Sequence, residues 1–221
     1  MTAAAASSAA PAQTRAAAPE NVLYRDDGPL ALAIGRALGP VVRVPAMALL
    51  LAGTGGVLVV AGIAWRDAST ALTAAAVAWL VVTLGITSAH WPKPSFHWAV
   101  PPLVRLGEYA TLTWLAAIQS AEPGALALLA VLAYRHYDIV YRLRHRGDVS
   151  PRWLNVLTGG WDGRVIIAWV LLAAGVIEDA MFIWAALLGV ASLAETVVAW
   201  RRFERGRGAA GEFDEIEGEA E

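Results

Sequence analysis

A set of arginines, carboxylates and one tyrosine interrupts segments of this sequence that are otherwise almost wholly apolar. The set consists of Arg105, Glu108, Arg135, Asp138, Tyr141, Arg142, Asp162, Arg164 and Glu195. Guanidinium groups bind phosphate through planar, paired hydrogen bonds. Carboxylates can hold Mg²⁺ against a phosphate or act as a general base. The residue types therefore predict a phosphate site, with Mg²⁺ as its candidate metal.

Helical spacing brings the first two members of this set together. Arg105 and Glu108 lie three residues apart in the segment LVRLGEY, so they share one face of a helix. Later segments add Asp162 with Arg164 in GWDGR, and then Glu195. Ionisable side chains inside apolar helices usually face the interior of a bundle or water. We therefore expect these residues to meet at one end of a helix bundle.

A further helix carries a polar stripe in the segment AYRHYDIVYRLR. Arg135, Asp138 and Arg142 follow one another at helical spacing and share the stripe with Tyr141. His136 is predicted to point elsewhere and to make an interfacial hydrogen bond, because no defined ligand spacing accompanies it. The stripe is predicted to reach the same end of the bundle as the other charges.

A second interpretation of the same residues remains open. Opposite charges within membrane helices can simply neutralise one another and hold the helices together. The pairs that this interpretation predicts are Arg105 with Glu108, Arg135 with Asp138, and Arg164 with Asp162 or Glu195. Residue types alone do not decide between an ion-pair network and a ligand site.

The elements that position these side chains are predicted to be membrane helices. Of the 221 residues 57% are hydrophobic and 16% are charged, and the mean hydropathy is +0.52. A helix needs about 20 apolar residues to cross a bilayer. We predict six spans, at 41–65, 70–88, 101–120, 123–141, 163–178 and 180–200. The predicted class is all-α, a polytopic membrane bundle.

Flanking segments complete the predicted domain organisation. Residues 1–21 are rich in Ala, Ser and Pro, which is typical of a disordered tail, and 206–221 form an acidic tail predicted to be disordered. The membrane domain occupies 22–205. Within it, PLALAIGRALG at 29–39 has apolar residues at helical spacing, which predicts an amphipathic helix lying in the membrane interface.

The distribution of basic residues predicts the orientation of the bundle. Arg36 and Arg43 lie before or at the very start of the first span, Lys93 lies in the second connection, and further arginines lie in 142–164 and 201–207. Basic residues favour the cytoplasmic side of a membrane. We therefore predict a multi-pass protein of the plasma membrane with both termini in the cytoplasm.

Several of these segments together resemble a known family. PPLVRLGEY (101–109), AYRHYDIVYRLR (133–144), PRWL (151–154), GGWDGR (159–164) and AET (194–196) are similar to an uncharacterised actinobacterial integral-membrane domain. That domain is commonly fused to the C-terminus of CDP-alcohol phosphatidyltransferase-like proteins. The resemblance covers residues 22–202. It implies phospholipid or polyprenyl-phosphate metabolism at the cytoplasmic leaflet.

The catalytic signature of the phosphatidyltransferases is missing from this chain. Their pattern is DxxDGxxAR followed by GxxxDxxxD, whereas Asp26, Asp27 and Gly28 are followed by Pro29 and Leu30. None of that family's catalytic residues is therefore carried over, and the sequence leaves open whether the chain is an enzyme.

Three functions follow as hypotheses. The first is an accessory, headgroup-binding membrane module that associates in trans with a CDP-alcohol phosphatidyltransferase. The second is an autonomous enzyme acting on a phosphorylated lipid, and the third is a small-solute transporter. Membrane lipids are the expected partners, an oligomer remains open, and no nucleic-acid partner is expected.

Overall fold

Helices account for the regular structure of residues 25–89, 94–146 and 159–218, the parts of the chain that the computed structural model describes. Seven α-helices follow one another, and a short 3₁₀ helix, Pro94–Ala99, precedes the fourth. They are α1 (Pro29–Leu38), α2 (Ala46–Ile63), α3 (Thr70–Ile86), α4 (Val100–Ile118), α5 (Glu122–Arg146), α6 (Gly160–Ala173) and α7 (Ile177–Gly218). These residues contain no strand, so the predicted all-α class is confirmed.

Local sequence signals explain where several helices begin. The Ser69 side chain accepts a hydrogen bond from the Leu72 N–H at 3.2 Å and so caps α3. Proline occupies the first turn of α1 and of α4, where its missing N–H removes no helical hydrogen bond. Helix α6 ends at Ala173, two residues before Gly175, whose φ is +74°.

Successive long helices run in alternating directions. Arg66, which follows α2, donates a hydrogen bond to Glu122 at the start of α5 across 2.6 Å. The Gln119 side chain, just after α4, donates to the Leu172 carbonyl near the end of α6 across 3.0 Å. These contacts lie at one end of the bundle. The buried charged residues gather at the other end.

Two helices in the described residues have the length and composition to cross a membrane, Ala46–Ile63 and Ile177–Arg201. The prediction of six spans is not supported. Helix α3 is apolar but has 17 residues, and α6 has 14, which is short of the roughly 20 that a crossing needs. Helices α4 and α5 each carry two or more charged residues of the predicted site, and neither is a candidate span. A helix forms within each of the six predicted stretches, but among the described residues only α2 and the first part of α7 are candidate spans.

Helix α1 packs across the end of α3. Its buried residues are Ala31 and Gly35, and the Ser88 hydroxyl donates to the Ala31 carbonyl at 3.1 Å. A methyl group on Gly35 would lie 2.0 Å from the Ser88 Oγ, so glycine permits this close approach. The predicted amphipathic helix therefore exists and contacts the bundle.

Of the two predicted tails, the structure describes most of the C-terminal one. The predicted tail 1–21 lies outside the described residues. Helix α7 continues past the end of its apolar part to Gly218, through most of the predicted acidic tail.

Candidate functional site

Asp26 lies in the short segment that precedes α1, and its carboxylate points into the bundle. The Arg164 Nη2 is 2.9 Å from Asp26 Oδ2, the nearest Arg135 nitrogen is 3.8 Å from Oδ1, and the nearest Arg105 nitrogen is 4.0 Å from Oδ2. The imidazole Nε2 of His136 is 3.6 Å away. Three arginines from three different helices thus surround one carboxylate.

Glu108 supplies the second anion at this place. Its side chain is completely buried, and Oε1 accepts a hydrogen bond from the Arg164 Nε at 2.5 Å. Oε2 accepts from the Arg105 Nη1 at 2.6 Å. Arg164, also completely buried, therefore bridges Glu108 and Asp26. We call these residues the Asp26 cluster: Asp26, Arg105, Glu108, Arg135, His136 and Arg164.

Tyr109 contacts the cluster through His136. The Tyr109 hydroxyl is 2.7 Å from the His136 Nδ1, and the two rings are stacked with centroids 6.0 Å apart. Because the Asp26 carboxylate can only accept, the tautomer that suits this geometry carries its proton on Nε2. The tyrosine hydroxyl then donates to Nδ1, which fixes the orientation of the imidazole.

Burial and charge act in opposite directions on Asp26. Desolvation disfavours the carboxylate anion, but the charge of Arg164, the nearby imidazole of His136 and the charges of Arg105 and Arg135 outweigh it. They hold the pKa of Asp26 well below its usual range. With Asp26 and Glu108 ionised, the three arginines leave the cluster with one positive charge in excess.

Polar contacts also hold the rest of the N-terminal segment. The Arg25 guanidinium pairs with Asp27 across 2.8 Å and donates to the Leu84 carbonyl at 3.0 Å, near the C-terminus of α3. The Trp161 indole N–H donates to the Asp27 carboxylate at 2.7 Å. The Trp161 backbone N–H donates to the Asp26 carbonyl at 3.0 Å. Segment 25–27 is thus joined to α3 and α6 by hydrogen bonds.

Two glycines allow this segment to lie directly against the start of α6. A methyl group on Gly160, whose φ is +66°, would lie 2.3 Å from the Gly28 nitrogen. A methyl group on Gly28 would lie 2.2 Å from the Gly159 carbonyl oxygen. Neither distance is possible for a real side chain, so both positions require glycine for close backbone approach.

Asp162 caps α1 from a different helix. Its Oδ1 accepts from the Gly28 N–H at 2.6 Å, and its Oδ2 accepts from the N–H groups of Leu30 and Ala31 at 3.1 and 2.9 Å. The first N–H groups of a helix have no partner within the helix, and an acceptor at this place stabilises it. Asp162 therefore positions Gly28 and the start of α1, and with them segment 25–27, which directly precedes Gly28.

Arg142 is the centre of a separate ion-pair group between α5 and α7. Its Nη1 and Nη2 donate to the two oxygens of Glu195 at 2.6 and 2.5 Å, a paired arrangement that a guanidinium makes well. Its Nε lies 2.8 Å from the Asp138 carboxylate. All its nitrogens therefore contact carboxylates, and the group holds the two helices together.

The predicted site residues are thus divided among several places. Arg105, Glu108, Arg135 and Arg164 come together at one end of the bundle, where Arg135 pairs with Asp26 and not with the predicted Asp138, and Arg164 pairs with Glu108 and Asp26 and not with Asp162 or Glu195. Asp138, Arg142 and Glu195 form the second group, Asp162 caps α1, and the Tyr141 ring stacks on Tyr137 with centroids 6.2 Å apart. The predicted pair of Arg105 with Glu108 is confirmed.

Sequence reasoning missed Asp26 and the role of His136, which was predicted to point elsewhere. Charge balance is the signal that points to Asp26. Arg105 and Arg164 pair with Glu108, and with Arg135 they bring three positive charges against one carboxylate. A further anion is therefore needed, and RDDG at 25–28 is the polar segment just before α1. His136 and Arg135, both on α5, contact the same Asp26 carboxylate, which also contacts Arg164 of α6.

No group of three or more His, Asp or Glu side chains in the described part of the chain is arranged to hold a metal ion. The carboxylates named above are already engaged by arginines or by backbone N–H groups. The Mg²⁺ prediction stays a prediction.

The chain belongs to a family of unknown function, DUF5941, whose model matches residues 15–220. No curated protein and no solved structure matches it. Membership of an uncharacterised family is therefore confirmed over nearly the whole chain. The predicted fusion to phosphatidyltransferases and the actinobacterial origin stay predictions.

Proposed function

We propose that this member of the DUF5941 family is an integral membrane protein that serves phospholipid or polyprenyl-phosphate metabolism as an accessory module. Its Asp26 cluster binds the phosphate of a lipid headgroup. One observation carries the proposal: buried cationic side chains converge at one end of a bundle whose surface is apolar.

The outer surface of the helices supports membrane insertion. Large apolar side chains are strongly exposed on several helices, including Ile63 at 83%, Leu126 at 70% and Val190 at 69%. Meanwhile Glu108 and Arg164 are completely buried. Extended apolar surfaces are rare on proteins in water and mark contacts with a membrane or a partner. Ionisable residues of membrane proteins face the interior of the bundle. This distribution of side chains supports the proposed insertion in a bilayer.

The position of the cluster supports contact with headgroups. Arg105 lies five residues into α4, which is about 7.5 Å along a helix axis. Arg164 lies in the first turns of α6. The basic residues Arg36, Arg43 and Arg201 lie near the same end, which favours the cytoplasmic leaflet. The cluster is thus proposed to lie near the depth of cytoplasmic phosphates.

The chemistry of the cluster favours phosphate as the ligand. Three guanidinium groups offer planar, charge-assisted donors, and the arrangement already accommodates a carboxylate anion at its centre. Binding is favoured over catalysis because both Glu108 oxygens accept hydrogen bonds from arginine, which reduces the capacity of this carboxylate to take a proton.

Native mass spectrometry of protein purified from membranes in mild detergent tests this function. We expect an intact phospholipid or polyprenyl phosphate to remain bound to wild-type protein and to the Arg66→Gln variant, which changes an exposed pair at the opposite end. Release of the protein by alkaline carbonate, or the absence of any phosphorus-containing lipid, would overturn the proposal. Failure to copurify with a CDP-alcohol phosphatidyltransferase would reject the accessory role specifically.

A further inference from the structure

We propose that segment 25–27 is a displaceable occupant of its own binding site. The Asp26 carboxylate marks the position that a phosphate monoester takes between Arg105, Arg135 and Arg164 once the segment leaves. The ligand class is a phosphate monoester, such as the headgroup of phosphatidic acid. This inference rests on the proposed function and adds how access to the site is controlled.

The backbone of Asp26 indicates that the segment is held in place by its contacts. Its φ is +52°, in the left-handed region that costs energy for a residue with a side chain. Asp26 itself lies outside the helices, between the helical residue Arg25 and the start of α1. Contacts with the three arginines and with Trp161 therefore compensate for it. When another anion takes those contacts, the compensation is lost.

Charge balance favours a phosphate over the aspartate. Without segment 25–27 the surrounding helices contribute Arg105, Arg135, Arg164 and Glu108, with two positive charges in excess. Asp26 supplies one negative charge to this excess. A phosphate monoester carries about −1.5 to −2 near neutral pH and has three acceptor oxygens. It can therefore neutralise the pocket more completely than one carboxylate.

The composition of the segment makes its release compatible with water. Arg25, Asp26 and Asp27 have no apolar side chain to expose, and Arg25 pairs with Asp27, so these two can leave together without net charge. Gly28 follows and its N–H stays bound to Asp162, which caps α1 independently. The segment can thus move about Gly28 while α1 stays in place.

Binding of dihexanoyl phosphatidic acid to protein in detergent, measured by calorimetry, tests this inference. Asp26→Asn keeps the shape of the side chain and removes the competing charge, so its affinity should exceed that of wild-type protein by at least about tenfold. Glu122→Gln, at the far end of the bundle, should leave the affinity unchanged. Adding Arg135→Gln to Asp26→Asn should abolish the gain.

Inorganic phosphate serves as the second probe in the same measurement. A gain for phosphatidic acid alone identifies a lipid headgroup as the source of the phosphate, and an equal gain for both identifies free phosphate. Either result supports a site beneath Asp26. Equal affinity of wild-type and Asp26→Asn protein for both probes would overturn it.

Hydrogen exchange of the wild-type protein gives a readout that does not depend on a variant folding. The backbone N–H of Trp161 donates to the Asp26 carbonyl. Saturating phosphatidic acid should therefore accelerate hydrogen exchange at this backbone N–H when segment 25–27 leaves. Unchanged or slower exchange at Trp161 would reject displacement. If wild-type protein nevertheless carries phospholipid in native mass spectrometry, the proposed function stands and the displaceable segment alone is wrong.

Discussion

Arg164 and Glu108, 56 residues apart in the chain, form an ion pair in which neither side chain is exposed. The pair joins α6 to α4 in the middle of the Asp26 cluster. Because Arg164 also reaches Asp26, it links the two helices to the segment that precedes α1. A single guanidinium therefore couples three parts of the chain that lie far apart in sequence.

Removing the charge of Glu108 should destabilise the protein strongly. Glu108→Gln leaves Arg164 and Arg105 with one carboxylate fewer in a buried site, and breaking a buried pair costs about 3 to 5 kcal/mol. The matched control is Glu122→Gln, whose exposed pair with Arg66 contributes less than about 1 kcal/mol. Unfolding in detergent measures the free energy of unfolding of both variants. An equal loss of stability in the two would show that the buried Glu108 contributes no more than the exposed Glu122.

Lowering the pH should remove the contribution of Asp26 to the free energy of unfolding. The folded protein holds the pKa of this carboxyl well below the value of about 3.9 that it has in an unfolded chain. Its stabilisation is therefore complete above that value and is lost as the pH falls further toward the folded pKa. The difference in unfolding free energy between wild type and Asp26→Asn should be constant from about pH 5 to 8 and shrink below about pH 4. A difference that does not change with pH would contradict an ionised, paired Asp26.

Two glycines of one motif should respond in opposite ways to alanine. Gly160→Ala places a methyl group against the Gly28 backbone at positive φ, so the N-terminal segment must shift and stability should fall by more than about 1 kcal/mol. Gly163 has open space around it and lies within α6, so Gly163→Ala should be neutral or stabilise by up to about 1 kcal/mol. Thermal unfolding of the two variants distinguishes them, and a tolerated Gly160→Ala would show that close approach is unnecessary.

Lysine should not replace Arg142. A lysine keeps the charge but cannot contact both Glu195 oxygens and Asp138 with the same planar geometry, so Arg142→Lys should lose about 1 to 3 kcal/mol of stability. Arg66→Lys, at an exposed pair, should be nearly neutral. Lipid binding should survive in Arg142→Lys, because this residue lies outside the Asp26 cluster. Loss of lipid binding by Arg142→Lys without loss of stability would show that Arg142 belongs to the lipid-binding site.

The positions of the helices could be predicted from sequence because apolar runs and their boundary residues are local signals. Ser69 and the prolines at 101 and 102 lie in the sequence where α3 and α4 begin. Span number was overestimated because apolar stretches include flanking residues that are not helical. The first stretch, 41–65, contains an 18-residue helix, and α6 has 14 residues.

Only part of the site could be predicted, because the partners of each charge depend on how the helices rotate and on non-helical segments. Arg105 and Glu108 were paired correctly because three residues along one helix fix their relation. Asp26 belongs to a segment without periodicity, so no spacing rule places it. Its position follows from two glycine contacts and from Asp162, all of which are contacts between distant parts of the chain.

In the proposed function the bundle turns its apolar residues toward lipid and its charges inward. The chain contains no cysteine, so single cysteines can report exposure directly. In lipid nanodiscs, Leu187→Cys and Val190→Cys on α7 should resist a water-soluble maleimide, although both side chains are exposed, at 65% and 69%. Arg66→Cys, in an exposed connection, should react quickly. Reaction of the α7 cysteines as fast as that of Arg66→Cys would place this surface in water and contradict the account.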